Sequence, residues 1–184
     1  MTNKIQNIET ERLRLRRFNP VDAPEVKRLA GDKLIAATTL NIPHPYEDGM
    51  AESWIETHLK EIDAGKLSNF AITLKDENQL IGAIGLHINP RFNRAELGYW
   101  VGVPYWNKGY CTEAACAVVK HGFEDLKLHR IFAHHIVGND ASGRVMEKIG
   151  MNFEGHLKEH VCKDGQFFDL KLYAILAKDF NPET

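Results

Sequence analysis

The most restrictive feature of the sequence is a change of pattern halfway along the chain. Three stretches of alternating apolar and polar residues, at 70–74, 80–88 and 95–103, follow one another with only short turns between them. This arrangement predicts an antiparallel meander. The next pattern has the helical period, over 109–126, and an apolar, β-branched strand follows at 129–137. Because a strand–helix–strand crossover places its two strands parallel, the chain predicts a mixed sheet.

The flanking segments extend this sheet. An alternating strand at 12–18 precedes Asn19-Pro20, a pair typical of a helix start, and an amphipathic helix runs over about 50–64. A short helix at 140–149 precedes two strands that meet at Asp164-Gly165, a dipeptide typical of a hairpin turn. The order β-α-α-β-β-β-α-β-α-β-β predicts a mixed α/β (α+β) fold. We expect about seven strands, mostly antiparallel, with four helices on both faces of the sheet.

Composition and charge indicate one folded domain without a nucleic-acid or membrane partner. A chain of 184 residues suffices for one hydrophobic core, so 1–184 is interpreted as a single domain. The net charge of −2 gives no strong field toward nucleic acid or an anionic membrane. No apolar run approaches the roughly 18 residues of a membrane span. Cys111, Cys116 and Cys162 form no CxxC pair, which favours free thiols and a cytoplasmic location.

The turn between the third meander strand and the long helix is a candidate anion site. N–H groups in the first turn of a helix have no intrahelical partner, and the helix dipole favours negative charge there. The small side chains around Asn107, Gly109 and Cys111 would let a pyrophosphate approach the backbone. A glycine before a helix is also ordinary turn chemistry, so this feature alone leaves both interpretations open.

Two blocks of sequence resemble one enzyme family. The turn reads Trp106-Asn107-Lys108-Gly109-Tyr110-Cys111, which is similar to the Gln/Arg-x-x-Gly-x-Gly/Ala pyrophosphate loop of the GNAT acyltransferases. Trp106 stands in place of Gln or Arg, and Cys111 in place of the last small residue. The block from Asn139 to Gly155 resembles the Asn-x-x-Ser…Glu-Lys-x-Gly-Phe segment of the ribosomal-protein alanine and serine N-acetyltransferase branch. The resemblance implies a GNAT-type domain with its core at about 10–178.

The resemblance also implies a coenzyme and its contacts. Acetyl-CoA would be the co-substrate, and its pyrophosphate would be held by backbone N–H groups of Asn107, Lys108, Gly109, Tyr110, Cys111 and Thr112. The backbone of Val101 and Val103 would pair with pantetheine as an added strand, and Asn139 would hydrogen-bond the same arm. Ser142 would protonate the departing thiolate. As alternatives, Asn139 caps a helix and Ser142 is a hydroxyl within the first helical turn.

The acceptor would be an amine, with the α-amine at a protein N-terminus, such as that of a ribosomal protein, favoured. A small-molecule amine and a non-catalytic acyl-CoA-binding module remain alternatives, and a homodimer is possible. Loops read the acceptor in such folds, here at 37–49 and around Asp164. An α-amine has a pKa near 7.7–8.0 and lysine near 10.4, so an α-amine needs the weaker base.

Two carboxylates are candidates for the general base. Glu96 on the third meander strand comes first, and Glu159 with its neighbour His160 comes second. The alternative for Glu96 is a solvent-facing strand residue. His134 and His135 are adjacent in a strand, so they point to opposite faces and cannot chelate a metal together. The other histidines lack ligand-like spacing, so we expect no metal site.

Overall fold

A computed structural model describes residues 7–181 of the chain. Its eight strands form one sheet in the order β1-β2-β3-β4-β5-β6-β8-β7, and only the β5–β6 pair is parallel. The strands are β1 Ile8–Glu9, β2 Leu13–Arg16, β3 Leu67–Leu74, β4 Leu80–Asn89, β5 Arg94–Val101, β6 Arg130–Ile136, β7 Asn152–Lys163 and β8 Gln166–Leu176. The helices are α1 Ala23–Ala30, α2 Lys33–Thr38, α3 Met50–Asp63, α4 Tyr110–Glu124 and α5 Asp140–Lys148.

This architecture confirms the mixed, mostly antiparallel sheet and adds two short elements to it. The additional strand, β1, has only two residues, so its sequence cannot show an alternating pattern. The additional helix, α2, has six residues and is capped by the Asp32 side chain, which accepts a hydrogen bond from Leu34 N. Because α2 extends to Thr38, the loop expected from residue 37 begins two residues later.

The two faces of the sheet differ in side-chain size. On one face, Phe70 and Ile72 of β3 and Ile84 of β4 belong to the apolar core that also contains α4. On the other face, Ala71 and Ala83 pack in a separate core with α1 and α3. Small residues on this second face let the helices approach the strands closely. Burial of each large apolar side chain contributes about 1.5–3 kcal/mol, so both cores anchor their helices.

The parallel pair β5–β6 joins the two halves of the sheet over a short distance. Arg94–Glu96 pairs with Arg130–Phe132, and no further pair connects these strands within the described residues. Beyond Glu96, β5 continues to pair with β4 as far as Val101, and β6 continues to pair with β8. The two strands therefore diverge, and the sheet opens between them.

Candidate active site

A large cavity lies where β5 and β6 diverge. Its volume is about 1130 Å³, and residues of both strands line it together with parts of α3 and the beginnings of α4 and α5. Ligand pockets ordinarily measure roughly 300–1,000 Å³. The cavity is therefore large enough for a coenzyme-sized molecule and part of a second substrate.

The glycine turn before α4 opens onto this cavity. Asn107 and Gly109 both have left-handed backbone conformations, with φ of 60° and 81°, and both are exposed. Gly109 is the N-cap of α4, so the N–H groups of Tyr110 and Thr112 lie in the first turn, where the helix offers them no acceptor. Of the predicted loop residues, Asn107, Gly109, Tyr110, Cys111 and Thr112 line the cavity. This geometry suits an anion.

Lys108 has a different position from its neighbours. It is not among the cavity-lining residues of the described chain, and its ammonium lies 5.7 Å from the centre of the Tyr105 ring. Its carbonyl oxygen accepts a hydrogen bond from Arg12 Nη1 at 3.0 Å. Lys108 is therefore the point at which the loop is tied to the first strands of the sheet.

Arg12 is itself held by Glu113 in the first turn of α4. Glu113 Oε1 accepts hydrogen bonds from the Thr10 hydroxyl at 2.6 Å and from Arg12 N at 2.8 Å. Burial would raise the pKa of Glu113, but these hydrogen bonds and the Arg12 guanidinium lower it below its ordinary value. Glu113 is therefore ionised at neutral pH and anchors the loop through Arg12.

Val101 and Val103 both engage Trp106 through their carbonyl groups. Trp106 Nε1 donates to Val101 O at 2.5 Å, and Trp106 N donates to Val103 O at 3.2 Å. Val101 lines the cavity, whereas Val103 is outside the described lining. Trp106 thus fixes the strand end that precedes the glycine turn, and the pantetheine contacts of the two valines stay a prediction.

Asn139 and Ser142 lie together at the beginning of α5. The Asn139 side chain accepts a hydrogen bond from Ser142 N at 3.3 Å, so the expected helix cap is present. Its amide nitrogen also donates to Thr38 O at 3.1 Å, which connects α5 to the end of α2. Ser142 Oγ lies 2.9 Å from the Tyr99 hydroxyl of β5, which also donates to Ser142 O at 3.1 Å. A pair of hydroxyl groups thus joins β5 to the beginning of α5 across the cavity.

The Tyr99 phenol of this bridge and the Cys111 thiol of the glycine turn are neutral at physiological pH. Burial raises the pKa of the Cys111 thiol to about 12 and also raises the pKa of the Tyr99 phenol. A thiol in this state is a poor nucleophile. The arrangement therefore favours direct transfer between two bound substrates over a covalent intermediate on Cys111.

Glu96 faces the opposite side of the sheet from Tyr99 and lines the cavity. Glu96 pairs with Phe132 in the last pair before the strands diverge. Its Oε1 lies 3.3 Å from Nδ1 of His134, two residues further along β6. His135 points to the other face, where its ring stacks on Tyr173 and its Nδ1 lies 2.9 Å from Ile136 O. The predicted opposite orientation of the two histidines agrees with these contacts.

Glu159 and His160 are separated from Glu96. Both are exposed on β7, and neither belongs to the described cavity lining. Glu159 has φ of 45°, and its N–H donates to Asp169 Oδ1 at 2.7 Å. The structure therefore brings Glu96 and Ser142 to one cavity and places Glu159 elsewhere.

The two loops expected to read the acceptor are linked by one lysine. Lys163 Nζ donates to the carbonyl oxygens of Ala36, Thr39 and Ile42 at 2.5, 2.8 and 3.1 Å. Burial lowers the pKa of Lys163, and Asp164 partly opposes this effect. The β7–β8 hairpin thus holds the segment after α2, and Thr39 and Ile42 line the cavity.

Sequence patterns did not indicate a polar group beneath α3. His58 Nδ1 is hydrogen-bonded to Asn69 Nδ2 at 2.7 Å, and the His58 ring lies 6.2 Å from that of His87. All three residues line the cavity. Burial, and then the neighbouring His87, lower the pKa of His58 to about 4, so its ring is neutral at pH 7. Their positions 58, 69 and 87 share no periodicity, so only the fold reveals the group.

Comparison with known proteins identifies the class that this fold and cavity define. A family model described as acetyltransferase (GNAT) domain matches residues 12–152. The chain is 32% identical to the uncharacterized N-acetyltransferase YnaD of Bacillus subtilis, over 95% of this chain and 99% of that protein. It is 29% identical to the [ribosomal protein uS5]-alanine N-acetyltransferase of Escherichia coli, over 64% of this chain and 62% of that enzyme.

A solved structure gives the same result. The crystal structure of a GNAT-family acetyltransferase from Bacillus anthracis superposes with a TM-score of 0.84 at 33% identity, covering 94% of this chain and 99% of that one. The chain belongs to the GNAT acetyltransferase family, and it is an N-acetyltransferase of that family.

Residues 7–181 contain no helix that is long and apolar enough to cross a membrane. In the same residues, no group of three or more histidine, cysteine, aspartate or glutamate side chains has the geometry of a metal site. Cys111, Cys116 and Cys162 are all free thiols.

Proposed function

We propose that this protein transfers the acetyl group of acetyl-CoA to the α-amine at a protein N-terminus, such as that of a ribosomal protein. The observation that carries the proposal is the glycine turn at Gly109. This turn and the first residues of α4 line the cavity between the diverging strands β5 and β6. An anion at this helix end and a thioester between the strands would account for both features. The proposal includes a cytoplasmic location, where Cys111, Cys116 and Cys162 stay reduced.

The coenzyme would enter along the opening between β5 and β6. Its pyrophosphate would bind the N–H groups of residues 107–112, and the pantetheine arm would lie against Val101 and Val103 of β5 and against Asn139. The Asn139 side chain is already oriented by its hydrogen bonds with Ser142 N and Thr38 O. Preorganised contacts of this kind reduce the entropic cost of binding.

The reaction would be a direct attack of the amine on the thioester. The amine nitrogen forms a C–N bond with the carbonyl carbon, the C–S bond breaks, and the amine loses one proton while the thiolate gains one. Glu96 is the proposed acceptor of the amine proton, directly or through water. Ser142, hydrogen-bonded to Tyr99, is the proposed donor to the thiolate. Holding both substrates in one cavity supplies much of the acceleration.

An α-amine suits the Glu96 site better than a lysine side chain does. With a pKa near 7.7–8.0, a sizeable fraction of α-amine is already neutral at physiological pH, whereas lysine near 10.4 is almost entirely protonated. Carboxylates in general are weak bases, and deprotonating a lysine ammonium demands a stronger base than deprotonating an α-ammonium does. The similarity to the uS5-alanine enzyme supports the same acceptor class.

Thermal melting followed by an activity panel tests the proposal. At 100 times its Kd, acetyl-CoA should add about 2.7 kcal/mol of stability, whereas ATP should add none. Release of free thiol would then be measured with peptides that have free N-termini, with the same peptides blocked by acetylation, and with small amines. We expect turnover only with free α-amines. Binding without turnover would indicate a sensor module, and turnover only with small amines would contradict the acceptor.

A further inference from the structure

The face of the sheet that carries Glu96 has a stretch without side chains, which we call the open floor. In the β4–β5 ladder, His87 pairs with Glu96 and Gly85 pairs with Gly98. The next pair on the same face is Ala83 with Trp100. Residues directly opposite in a ladder point to the same face. Two glycines therefore lie side by side between the Glu96 carboxylate and the Trp100 ring.

Gly98 has empty space above it. A Cβ built on Gly98 meets no atom within 4 Å, and the residue is exposed and lines the cavity. A Cβ on Gly85 would instead lie 2.6 Å from Asn69 Oδ1, so that side is filled. The open part of this face thus begins at Gly98, which is two residues from the proposed base Glu96 along β5.

Aromatic rings and imidazoles form the walls around this floor. On α3, Trp54 and His58 are four residues apart and share one helix face, with ring centres 4.2 Å apart. His58 in turn contacts His87, the ladder partner of Glu96. Tyr46 and Trp100 are half-buried and line the same cavity. We call the space enclosed by Tyr46, Trp54, His58, His87, Gly98 and Trp100 the glycine-floored pocket.

The six residues of the glycine-floored pocket include no carboxylate, lysine or arginine. The low pKa of His58, about 4, keeps that ring neutral at pH 7. Among the described residues that line the whole cavity, the carboxylates are Glu96 and Asp140, and the latter lies on α5 with the cations Arg144 and Lys148. A second ammonium group placed beside Glu96 would therefore have no carboxylate partner of its own.

Aromatic walls attract cations as well as apolar groups. A cation–π contact offsets only part of the cost of desolvating an unpaired charge. The Trp54 ring is in addition packed against His58 and against the edge of Phe18, 4.9 Å away. The balance favours an uncharged occupant.

We propose that the glycine-floored pocket binds the side chain of the first residue of the acceptor and selects an uncharged, apolar group. This inference rests on the proposed function and narrows it: the substrates are α-amines next to a leucine-like or aromatic side chain, and polyamines are excluded. The α-amine lies at Glu96 while its side chain lies over Gly98 against the aromatic walls.

Matched peptides and one variant test this inference. Peptides that differ only in their first residue, Phe, Leu, Ala, Asp or Arg, would be compared with spermidine by kcat/KM. We expect Phe and Leu to exceed Asp and Arg by about tenfold or more, a difference within the range of one hydrophobic subsite. Gly98→Val adds a side chain to the floor at a strand position without left-handed backbone strain. It should lower kcat/KM for Phe at least tenfold and leave Ala within about threefold.

Gly155→Val is the matched control. Gly155 lies on β7 with open space around its Cβ position and outside the described cavity lining, so this variant should keep the wild-type peptide order. The Kd for acetyl-CoA should be unchanged in both variants. Preference for spermidine or the Arg peptide, or an equal loss with every peptide in Gly98→Val, would overturn the inference while the proposed function stands. If the wild-type protein acetylates no α-amine, the proposed function fails and the inference falls with it.

Discussion

Arg12 and Glu113 lie 101 positions apart in the chain, and Arg12 Nε and Nη2 both contact Glu113 Oε2 at 2.7 Å. The remaining guanidinium nitrogen donates to Lys108 O, and the guanidinium also lies 4.7 Å from the centre of the Tyr110 ring. One arginine thus joins the first strands, the glycine turn and the beginning of α4. The glycine turn, which is the proposed coenzyme loop, therefore depends on a residue beside the β1–β2 edge of the sheet.

Glu113→Gln should weaken acetyl-CoA binding about threefold to tenfold, because the neutral amide no longer fixes the guanidinium that holds Lys108 O. Stability should fall by about 1 kcal/mol or less, since Arg12 is substantially exposed. Isothermal titration of acetyl-CoA and urea unfolding measure the two effects. Glu9→Gln is the control, because Glu9 pairs with Arg14 on the same strands without touching the loop. Equal losses of affinity in both variants would contradict the anchoring role.

Gly109→Val should abolish the acetyl-CoA-induced rise in melting temperature while the fold is kept. At φ of 81°, a side chain costs about 1–2 kcal/mol, and the added Cβ would lie 3.3 Å from Arg12 Nη2. The strain would displace the N–H groups that are proposed to hold the pyrophosphate. Gly65→Val places the same residue at φ of 67° after α3, away from the described cavity lining. It should lose similar stability and retain the full shift, and a retained shift in Gly109→Val would remove the loop from the proposal.

Ser142→Ala should lower kcat about tenfold to a hundredfold, at or below the lower end of ordinary general-acid effects, because a thiolate leaves readily. Tyr99→Phe should lower kcat less, since the phenol acts only by positioning the Ser142 hydroxyl. In the Ser142→Ala background, Tyr99→Phe should have no further effect. The double-mutant cycle is read from steady-state kinetics, with KM for acetyl-CoA unchanged. Additive losses would indicate that Tyr99 acts independently, and Tyr105→Phe, on another cavity wall, serves as the control.

His58 should make the protein less stable as the pH falls from about 6.5 to about 4. Burial, followed by His87, lowers the pKa of the folded-state ring from 6.5 to about 4. In this interval the unfolded chain binds a proton that the folded chain does not, so acid favours unfolding, and the effect levels off below about pH 4. We expect a loss of about 1–2 kcal/mol after allowing for partial solvent contact of the ring.

The difference between His58→Gln and the wild-type protein isolates this titration. Urea unfolding at several pH values across the interval should show a smaller acid loss in the variant. His160→Gln changes an exposed histidine on β7 and should keep the wild-type slope. Parallel pH profiles for His58→Gln and wild type would show that the ring titrates normally in the folded protein.

The sequence by itself determined the order of the elements and the local chemistry of their ends. Short turns after β3 and β4 leave antiparallel pairing as the only compact arrangement, and Asn19 and Asn139 cap helices as their residue types predict. Gly109 adopts the left-handed conformation that the glycine turn requires. These features depend on residues within a few positions of each other, so periodicity and residue type suffice to predict them.

Only the tertiary structure decided which distant side chains meet. The divergence of β5 from β6 after Glu96, the contact of His134 with that carboxylate and the attachment of the Gly109 turn by Arg12 all join segments far apart in the chain. Such contacts depend on strand register and on how helices pack over the sheet, and a shift of one residue would turn each side chain to the opposite face. The alternation along each strand shows which residues share a face, but it does not show which distant side chains they meet, so the cavity and its walls emerge from the fold alone.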